Sequence, residues 1–530
     1  MTAPGGTVTP HAPARGAEAV VRTAARVWQF GGSRTLTVLT LVMFTVTAAF
    51  FASVVFVPPF DGVIEGVPFV ARTSRVPDEF RHIGNVLLYA ERPWWSGPVI
   101  SDVSAPTLWL GEVERFPSYL YYWVGSVPAR ALLAVGAGYE TVVVVLRLLT
   151  VLTGTACLVV LRALLVGAGV GAPAAGWAVL ALSLTGRFVW QSAGVSYDTP
   201  SMLLFLVVVL AAVRLVQRVT VVWSLVLVAA GSSAAITKYT FLPFIGVLVV
   251  ALVVVLVVQG RRRGPGLRAA LVDELRTRRA LVAVLALVAL VAVVLVVERI
   301  GVNLLTYRSV NPRCDLLHDP DACMGFDIYR RNLVVKERYA SEVAAGLREP
   351  QSYHPLAYTR MWLDIYYSSS FFYRGRYTTW AIPGALVALA YTGLAVGTAL
   401  VARWSRRLLR TPAAALVGGI AIVYVVGVYV FNLRTWLSLA QVYAHSGRYL
   451  LPVLGIAAAA VLVAARWSFL RLPTRGRAVV AVVVACYLVA VLVTHHPLVT
   501  FFGHVDEASW FVEPLRPVMQ DLLGLPPADG

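Results

Sequence analysis

Lysine is nearly missing from this chain. Of 45 basic residues only Lys238 and Lys336 are lysine, which leaves 43 arginines. A chain so biased would place arginine wherever any cation served, so Lys238 in ITKYT stands out. Charge as a whole is sparse, at 14% of residues. Neither a P-loop nor a dinucleotide-binding glycine fingerprint occurs, so ATP-driven transport has no visible engine. No internal sequence repeat is visible. Cysteine is rare, with four in 530 residues. Cys157 and Cys486 fall inside apolar runs and read as packing residues. Cys314 and Cys323 flank CDLLHDPDAC, and a C-x8-C spacing is not a usual zinc spacing, which disfavours a metal site with His318.

What the chain has instead is apolar length. Hydrophobic residues make up 58% of it and the mean hydropathy is +0.75, too apolar for a soluble protein. About eleven runs approach the roughly 20 residues needed to cross a bilayer. They lie near 36–57, 140–161, 172–189, 199–213, 219–236, 239–258, 280–300, 380–402, 413–431, 448–465 and 478–494. Lipid leaves no backbone group to water and no strand pattern is visible, so these are helices. The expected fold is an all-α polytopic membrane protein.

The net charge of +18 does not point to nucleic acid, because of where it sits. Arg22, Arg26 and Arg34 precede the first run, and seven arginines from Arg261 to Arg279 separate the sixth from the seventh. Arg403, Arg406, Arg407 and Arg410 follow the eighth, and Arg466, Arg471, Arg475 and Arg477 the tenth. This is the positive-inside bias, which puts the N-terminus in the cytoplasm and, with eleven spans, the C-terminus outside. Anionic membrane lipids are the natural partners of such loops. The loop holding Cys314 and Cys323 then falls outside, where a disulfide persists, and a bridge is the expected state.

The organisation that follows is a disordered Pro/Gly/Ala-rich segment at 1–35 and a membrane core at 36–300 that includes a large outer loop at 58–139. A second large outer loop covers 301–379, the last spans 380–494, and an outer tail 495–530. In the first outer loop, Phe80, Ile83, Leu87 and Ala90 recur at helical spacing after Pro77, which suits a surface helix. Phe116–Leu133 reads as a second surface helix, rich in aromatic residues. The aromatic residues of the second loop, Tyr353 to Tyr377, fit an interfacial belt or a stacking surface for a sugar or lipid.

The charge bias places five charged groups on one outer face. Asp78 and Glu79 open the first surface helix. Carboxylates there can take a proton from a hydroxyl acceptor or hold a divalent cation, or they can simply favour the helix dipole. Asp198, in SYDTP, opens the fourth span as a second cavity carboxylate or as a cap. Lys238 suits a phosphate as a point charge or is a snorkelling helix-end lysine. Arg448, in HSGRYLLP with His445 just before it, suits a phosphate fork or an interfacial anchor. Arg81 and His82 follow the carboxylates, and His82 can share a proton with them.

At these residues the chain resembles the integral-membrane GT-C glycosyltransferases, most of all the protein O-mannosyltransferase and lipid A aminoarabinose transferase branch. The matches are Pro77-Asp78-Glu79, the stretch from Phe116-Pro117 to Trp123, Ser196-Tyr197-Asp198 and Thr237-Lys238-Tyr239. GRYLLP at Gly447–Pro452 resembles a related group of bacterial membrane proteins. The resemblance implies a GT-C-like fold and a polyprenyl-phosphate sugar donor used outside on an envelope acceptor. It implies that Asp78 activates the acceptor, that Glu79 assists, and that Lys238 and Arg448 neutralise the leaving phosphate. A divalent metal, held by Asp78 and Glu79, is optional on this reading. The alternative is a transporter or flippase of a lipid-linked or anionic substrate, which also needs charges among helices. A non-catalytic envelope scaffold would not need carboxylates and cations on one face.

Overall fold

The architecture comes from a computed structural model, which describes residues 13–54, 63–64, 67–68, 76, 78–93, 97–100, 114–260, 266–371, 384–442 and 445–496. Among these residues the chain is helical apart from one short hairpin, Val63–Ile64 against Val67–Pro68. Among the described residues nine helices are long and apolar enough to cross a membrane. A bent pair adds a tenth, and the eleventh expected run is a shorter apolar helix, so the eleven runs of the sequence are accounted for.

The first segment corrects the sequence expectation. Disorder was expected over 1–35, yet Pro13–Phe30 forms helix α1. Its alanines favour helix, and Ala17, Val20, Val21, Ala24 and Trp28 fall on one face at helical spacing, with Arg22 and Arg26 exposed. That face packs on the helices at Thr474–His495 and Ala172–Ser183. A close approach fixes the turn after α1, because a Cβ on Gly176 would collide with the Gly31 carbonyl. Trp177 Nε1 donates to the Trp28 carbonyl oxygen at 3.2 Å.

The first span is α2 (Arg34–Val54). Two shorter helices follow, α3 (Glu79–Glu91) and α4 (Leu120–Ala134). The sequence suggested that α3 lies along the surface, but Ile83, Val86 and Tyr89 are buried. They form an apolar cluster with Tyr122 of α4 and with Val142, Val143 and Leu146 of the next helix. The second span is α5 (Tyr139–Gly167). The expected third span is two helices, α6 (Ala172–Ser183) and α7 (Gly186–Ala193), bent by 66°. α8 (Asp198–Gln217) is the most enclosed span, packed between α5 and α9 (Val221–Thr237). A 3₁₀ turn at Tyr239–Phe241 leads into α10 (Leu242–Gly260). α11 (Gly266–Thr277) precedes α12 (Arg279–Val296), which continues through a π turn at Val297–Gly301 into α13 (Val302–Tyr307).

The segment expected as the second outer loop is mostly helical over its described residues, 301–371. α14 (Cys314–Leu317) and α15 (Pro320–Cys323) carry the two cysteines, whose sulfurs are bonded at 2.12 Å. α16 (Asp327–Ala344) and α17 (Pro355–Phe371) follow. Tyr358, Trp362 and Tyr366 of α17 are not an interfacial belt. They are buried against the helix at Pro412–Leu439, where Trp362 Nε1 and the Tyr366 hydroxyl both donate to Asn432 Oδ1, at 3.0 and 2.7 Å. Phe372, Tyr373 and Tyr377 lie outside the described residues, as do Pro77 and the tail from Pro497. The last spans are α18 (Gly384–Leu408), α19 (Pro412–Leu439), α20 (Leu451–Phe469) and α21 (Thr474–His495).

The main core joins α2, α5, α7, α8, α19 and α20. Phe44 stacks on Phe188 and Phe51 on Trp190, each at 4.9 Å between ring centroids. This packing brings the N-terminal ends of α3, α8 and α20 and the C-terminal end of α9 to one end of the bundle.

Candidate functional site

Asp78 precedes α3 in a left-handed conformation, φ 67° and ψ 8°, and its side chain makes no capping bond to the helix. Aspartate tolerates this region better than most residues, and strain of this kind collects at functional sites. The carboxylate turns away to Arg448 and accepts from its Nη2 at 3.2 Å. Asp198 stands in the first turn of α8 and likewise caps nothing. Its Oδ1 accepts from Lys238 Nζ at 2.6 Å, and its Oδ2 lies 3.5 Å from Arg448 Nη1. Arg448 thus bridges two carboxylates, and Lys238 closes the chain Asp78–Arg448–Asp198–Lys238.

Exposure separates the members. The Asp78 side chain is 33% exposed, against 14% for Arg448, 10% for Lys238 and 7% for Asp198. Asp78 is therefore the carboxylate an incoming molecule can reach. Burial alone would raise its pKa, but Arg448, His82 and Arg81 outweigh burial and hold the carboxyl below its usual range. Tyr449 and Tyr197 flank the cations, with Lys238 Nζ 4.9 and 5.5 Å from their ring centroids. The Tyr449 hydroxyl also accepts from Arg448 Nη2 at 3.2 Å. Three helices, α3, α8 and α20, begin at this cluster, and helix N-termini favour anions.

Glu79, expected to assist chemistry or to hold a metal, is held by other partners than the Asp78 cluster. It is fully buried, with Oε1 2.8 Å from Arg147 Nε and Oε2 3.1 Å from Arg147 Nη2. The Val195 N–H also donates to Oε1 at 2.8 Å. Both carboxylate oxygens are committed to tying α3 to α5 and to the α7–α8 connection. A metal pair with Asp78 does not fit, since the two side chains point to different partners. Among the described residues no group of three or more potential ligands converges elsewhere.

His82 is buried within α3, its Nδ1 2.9 Å from the Tyr122 hydroxyl and its ring edge-on to Tyr197 at 4.6 Å. Burial lowers its pKa to about 4, so it is neutral at pH 7 and serves as a polar wall to the site. Arg81 lies against the rings of Phe80 and Phe326, at 5.4 and 5.5 Å, which joins α3 to the disulfide segment. His445 is not in the charge chain: its Nε2 is 3.1 Å from the Tyr358 hydroxyl of α17.

The loop that carries Arg448 is held on two sides. The Gly447 N–H donates to Ser369 Oγ of α17 at 2.7 Å, and Arg187 Nη2 of α7 donates to Ser446 Oγ at 3.4 Å. A Cβ on Gly447 would collide with Ser370, so glycine is required for this close approach.

Arg147, Tyr197 and Tyr449 were not singled out from the sequence. The signal for Arg147 was present: an arginine within the apolar run TVVVVLRLLT needs a buried partner. Tyr197 and Tyr449 adjoin residues that were noted, but tyrosines are frequent here and only the fold shows which two flank Lys238.

The chain matches no protein-family model, and it matches no curated protein. Among solved structures it is similar to ArnT from Cupriavidus metallidurans bound to undecaprenyl phosphate, at 17% identity and a TM-score of 0.40, covering 87% of this chain and 66% of that one. It is also similar to the Archaeoglobus fulgidus oligosaccharyltransferase tethered with an acceptor peptide, at 11% identity and a TM-score of 0.41, covering 88% and 55%. The archaeal oligosaccharyltransferase AglB from Archaeoglobus fulgidus, in complex with an inhibitory peptide and a dolichol-phosphate, is similar at 12% identity and a TM-score of 0.40, covering 93% and 56%. The chain thus spans just over half to about two thirds of the length of these proteins. These are distant likenesses, and the chemistry of the site stands on its own residues.

Proposed function

We propose that this chain is a membrane glycosyltransferase that moves a sugar from a polyprenyl-phosphate donor to an acceptor on the outer side of the membrane. The observation that carries the reading is the Asp78–Arg448–Asp198 chain: two carboxylates that lie at helix starts yet cap nothing, bridged by one guanidinium beside Lys238. The Asp-Glu motif of the sequence points the same way.

The chemistry follows from the charges. A donor phosphate entering at Lys238 and Arg448 competes with Asp78 for the guanidinium. Arg448 then turns part of its charge to the phosphate, and Asp78 loses the partner that depresses its basicity. The freed carboxylate takes the proton of an acceptor hydroxyl as that oxygen bonds to the sugar's anomeric carbon. The bond from that carbon to the phosphate oxygen breaks, and the electron pair leaves with the lipid phosphate. Lys238 and Arg448 stabilise the charge that develops there, commonly a large contribution in such transfers. The side of the membrane comes from the arginine bias of the opposite loops.

A transporter or flippase would move the lipid-linked sugar intact. Besides the charges among helices, the bent α6–α7 pair is in its favour among the described residues, and paired broken helices at corresponding positions are the usual mark of that class.

The reading is tested by binding of polyprenyl phosphate to the purified chain. Arg448→Gln removes the bridging guanidinium and should weaken binding at least about tenfold. Binding within twofold of the unaltered protein, with the thermal midpoint preserved, would remove Arg448 from the phosphate site and the reading with it.

A further inference from the structure

At the end of the bundle opposite Asp78 lies a second feature, a cavity of about 400 Å³ between α5, α6, α19 and α20. Helix α5 measures the separation. Arg147 sits beside the outer cluster and Leu165 lines the cavity, about 27 Å farther along the helix. That is close to the thickness of a bilayer's hydrocarbon core, roughly 30 Å.

The cavity floor is apolar, with Leu165, Val417, Ile456 and Val463. Its rim carries Arg407 and Arg466, and none of its described lining residues is acidic. Both guanidiniums are held by aromatic faces. Arg407 lies over Trp467 at 4.5 Å and Trp404 at 5.7 Å, and Arg466 over Trp28 at 5.5 Å and Phe469 at 5.9 Å. Stacking uses the flat face of the guanidinium and leaves its in-plane N–H donors available. Neither arginine has a hydrogen bond or an ion pair among the described residues. The start of α6, at Gly171 and Ala174, and Thr411 at the start of α19 open onto the same cavity. Two positive helix ends therefore add to the two guanidiniums.

We propose that this cavity binds an anionic phospholipid of the leaflet opposite the Asp78 site. The phosphate headgroup sits between Arg407 and Arg466, and the acyl chains run over the apolar floor. Free phosphate would satisfy the rim and leave that floor uncovered, whereas a lipid matches both. Basic pockets between spans at a membrane surface suit such headgroups. The inference is independent of the glycosyltransferase reading, since it uses none of the residues of the outer site.

The test uses the full-length protein, purified in detergent and stripped of lipid, with phosphatidylglycerol, phosphatidylcholine and inorganic phosphate as separate probes. Phosphatidylglycerol should bind, and Arg407→Gln/Arg466→Gln together should weaken that binding by about tenfold or more. Arg475→Gln, outside the cavity, should leave it unchanged. Phosphatidylglycerol binding by the double variant within twofold of the unaltered protein would overturn the proposal. Phosphatidylcholine binding as tightly would do the same. Inorganic phosphate binding as tightly would reassign the site to a free anion. Because the double variant risks misfolding, a photoreactive phosphatidylglycerol on the unaltered protein gives a second measurement. Labelled peptides from Thr411–Gly418 or Val463–Trp467 support the site, and labelling confined to other segments overturns it.

Discussion

At the scale of single residues, Asp78 and Glu79 are neighbours in sequence with opposite fates. One backbone angle separates them: the left-handed turn at Asp78 sends its carboxylate to Arg448, while Glu79 enters the helix and buries itself on Arg147. Their chemistry was legible as a pair of carboxylates at a helix start, but their division of labour was not, because it depends on which partner each meets across the fold. The buried pair gives a first prediction. Glu79→Gln leaves the Arg147 charge uncompensated in an apolar setting, which costs about 3–5 kcal/mol. A lower thermal midpoint and poor yield in membranes are expected. Replacing both partners, Glu79→Leu with Arg147→Met, should recover part of that loss. A Glu79→Gln protein as stable as the original would show that the pair carries no such burden. His82 gives the second. Its pKa in the fold, about 4, lies below its ordinary value of 6.5. Between those values the unfolded chain takes up a proton that the folded chain refuses, so stability falls as pH drops from about 6.5 to 4. The slope is at most about 1.4 kcal/mol per pH unit. Thermal midpoints measured across that window should fall less steeply for His82→Gln than for the unaltered chain. Parallel slopes would mean that His82 titrates alike in both states.

At the scale of elements, the sequence identified where helices lie better than what they touch. The run at 172–189 reads as one apolar stretch on average, and it bends after Ser183, where Thr185, Gly186 and Arg187 interrupt the apolar residues and were the available signal. The aromatic residues of α17 were consistent with a membrane interface, and only the fold shows Trp362 and Tyr366 sharing Asn432. That helix has a job at the site, because Ser369 and Ser370 at its end seat the turn that carries Arg448. A third prediction belongs here. Gly447→Ala adds a methyl group that meets Ser370, so the turn must shift and carry Arg448 off Asp78 and Asp198. Sugar transfer should fall by about 10²-fold, the scale expected of a 1 Å displacement in an aligned site. The thermal midpoint should change little, since the turn is short and lies at the end of the bundle. Initial rates alongside a melting curve check this. Unchanged rates would mean the turn accommodates the methyl without moving the guanidinium.

At the scale of the whole molecule, the chain is a bundle with two unlike ends. One end gathers the starts of α3, α8 and α20 around carboxylates and cations, and the other gathers arginines stacked on tryptophan. The sequence revealed this polarity because charge is scarce and Asp78, Asp198, Lys238 and Arg448 on one side, and the arginine clusters on the other, lie near the ends of the runs. It did not reveal that α1 folds onto the second end, because the Pro/Gly/Ala-rich composition masked the helical spacing of Ala17, Val20, Val21, Ala24 and Trp28 and nothing in the sequence names the surface that covers that face. The functional claim is also a claim about the whole bundle, since the four charged residues come from four distant stretches of chain and work only if the fold assembles them.

The most direct measurement of that claim is sugar transfer by Asp78→Asn from a polyprenyl-phosphate donor, with membrane insertion and thermal midpoint followed in parallel. Asparagine keeps the size of the side chain, tolerates the same left-handed turn and can still accept from Arg448. It removes only the charge that takes the proton. Losing a well-placed base costs about 10²–10⁴-fold in rate. The account predicts a fall in transfer of that order in a protein that inserts and melts normally. Near-normal transfer by a well-folded Asp78→Asn protein would contradict it.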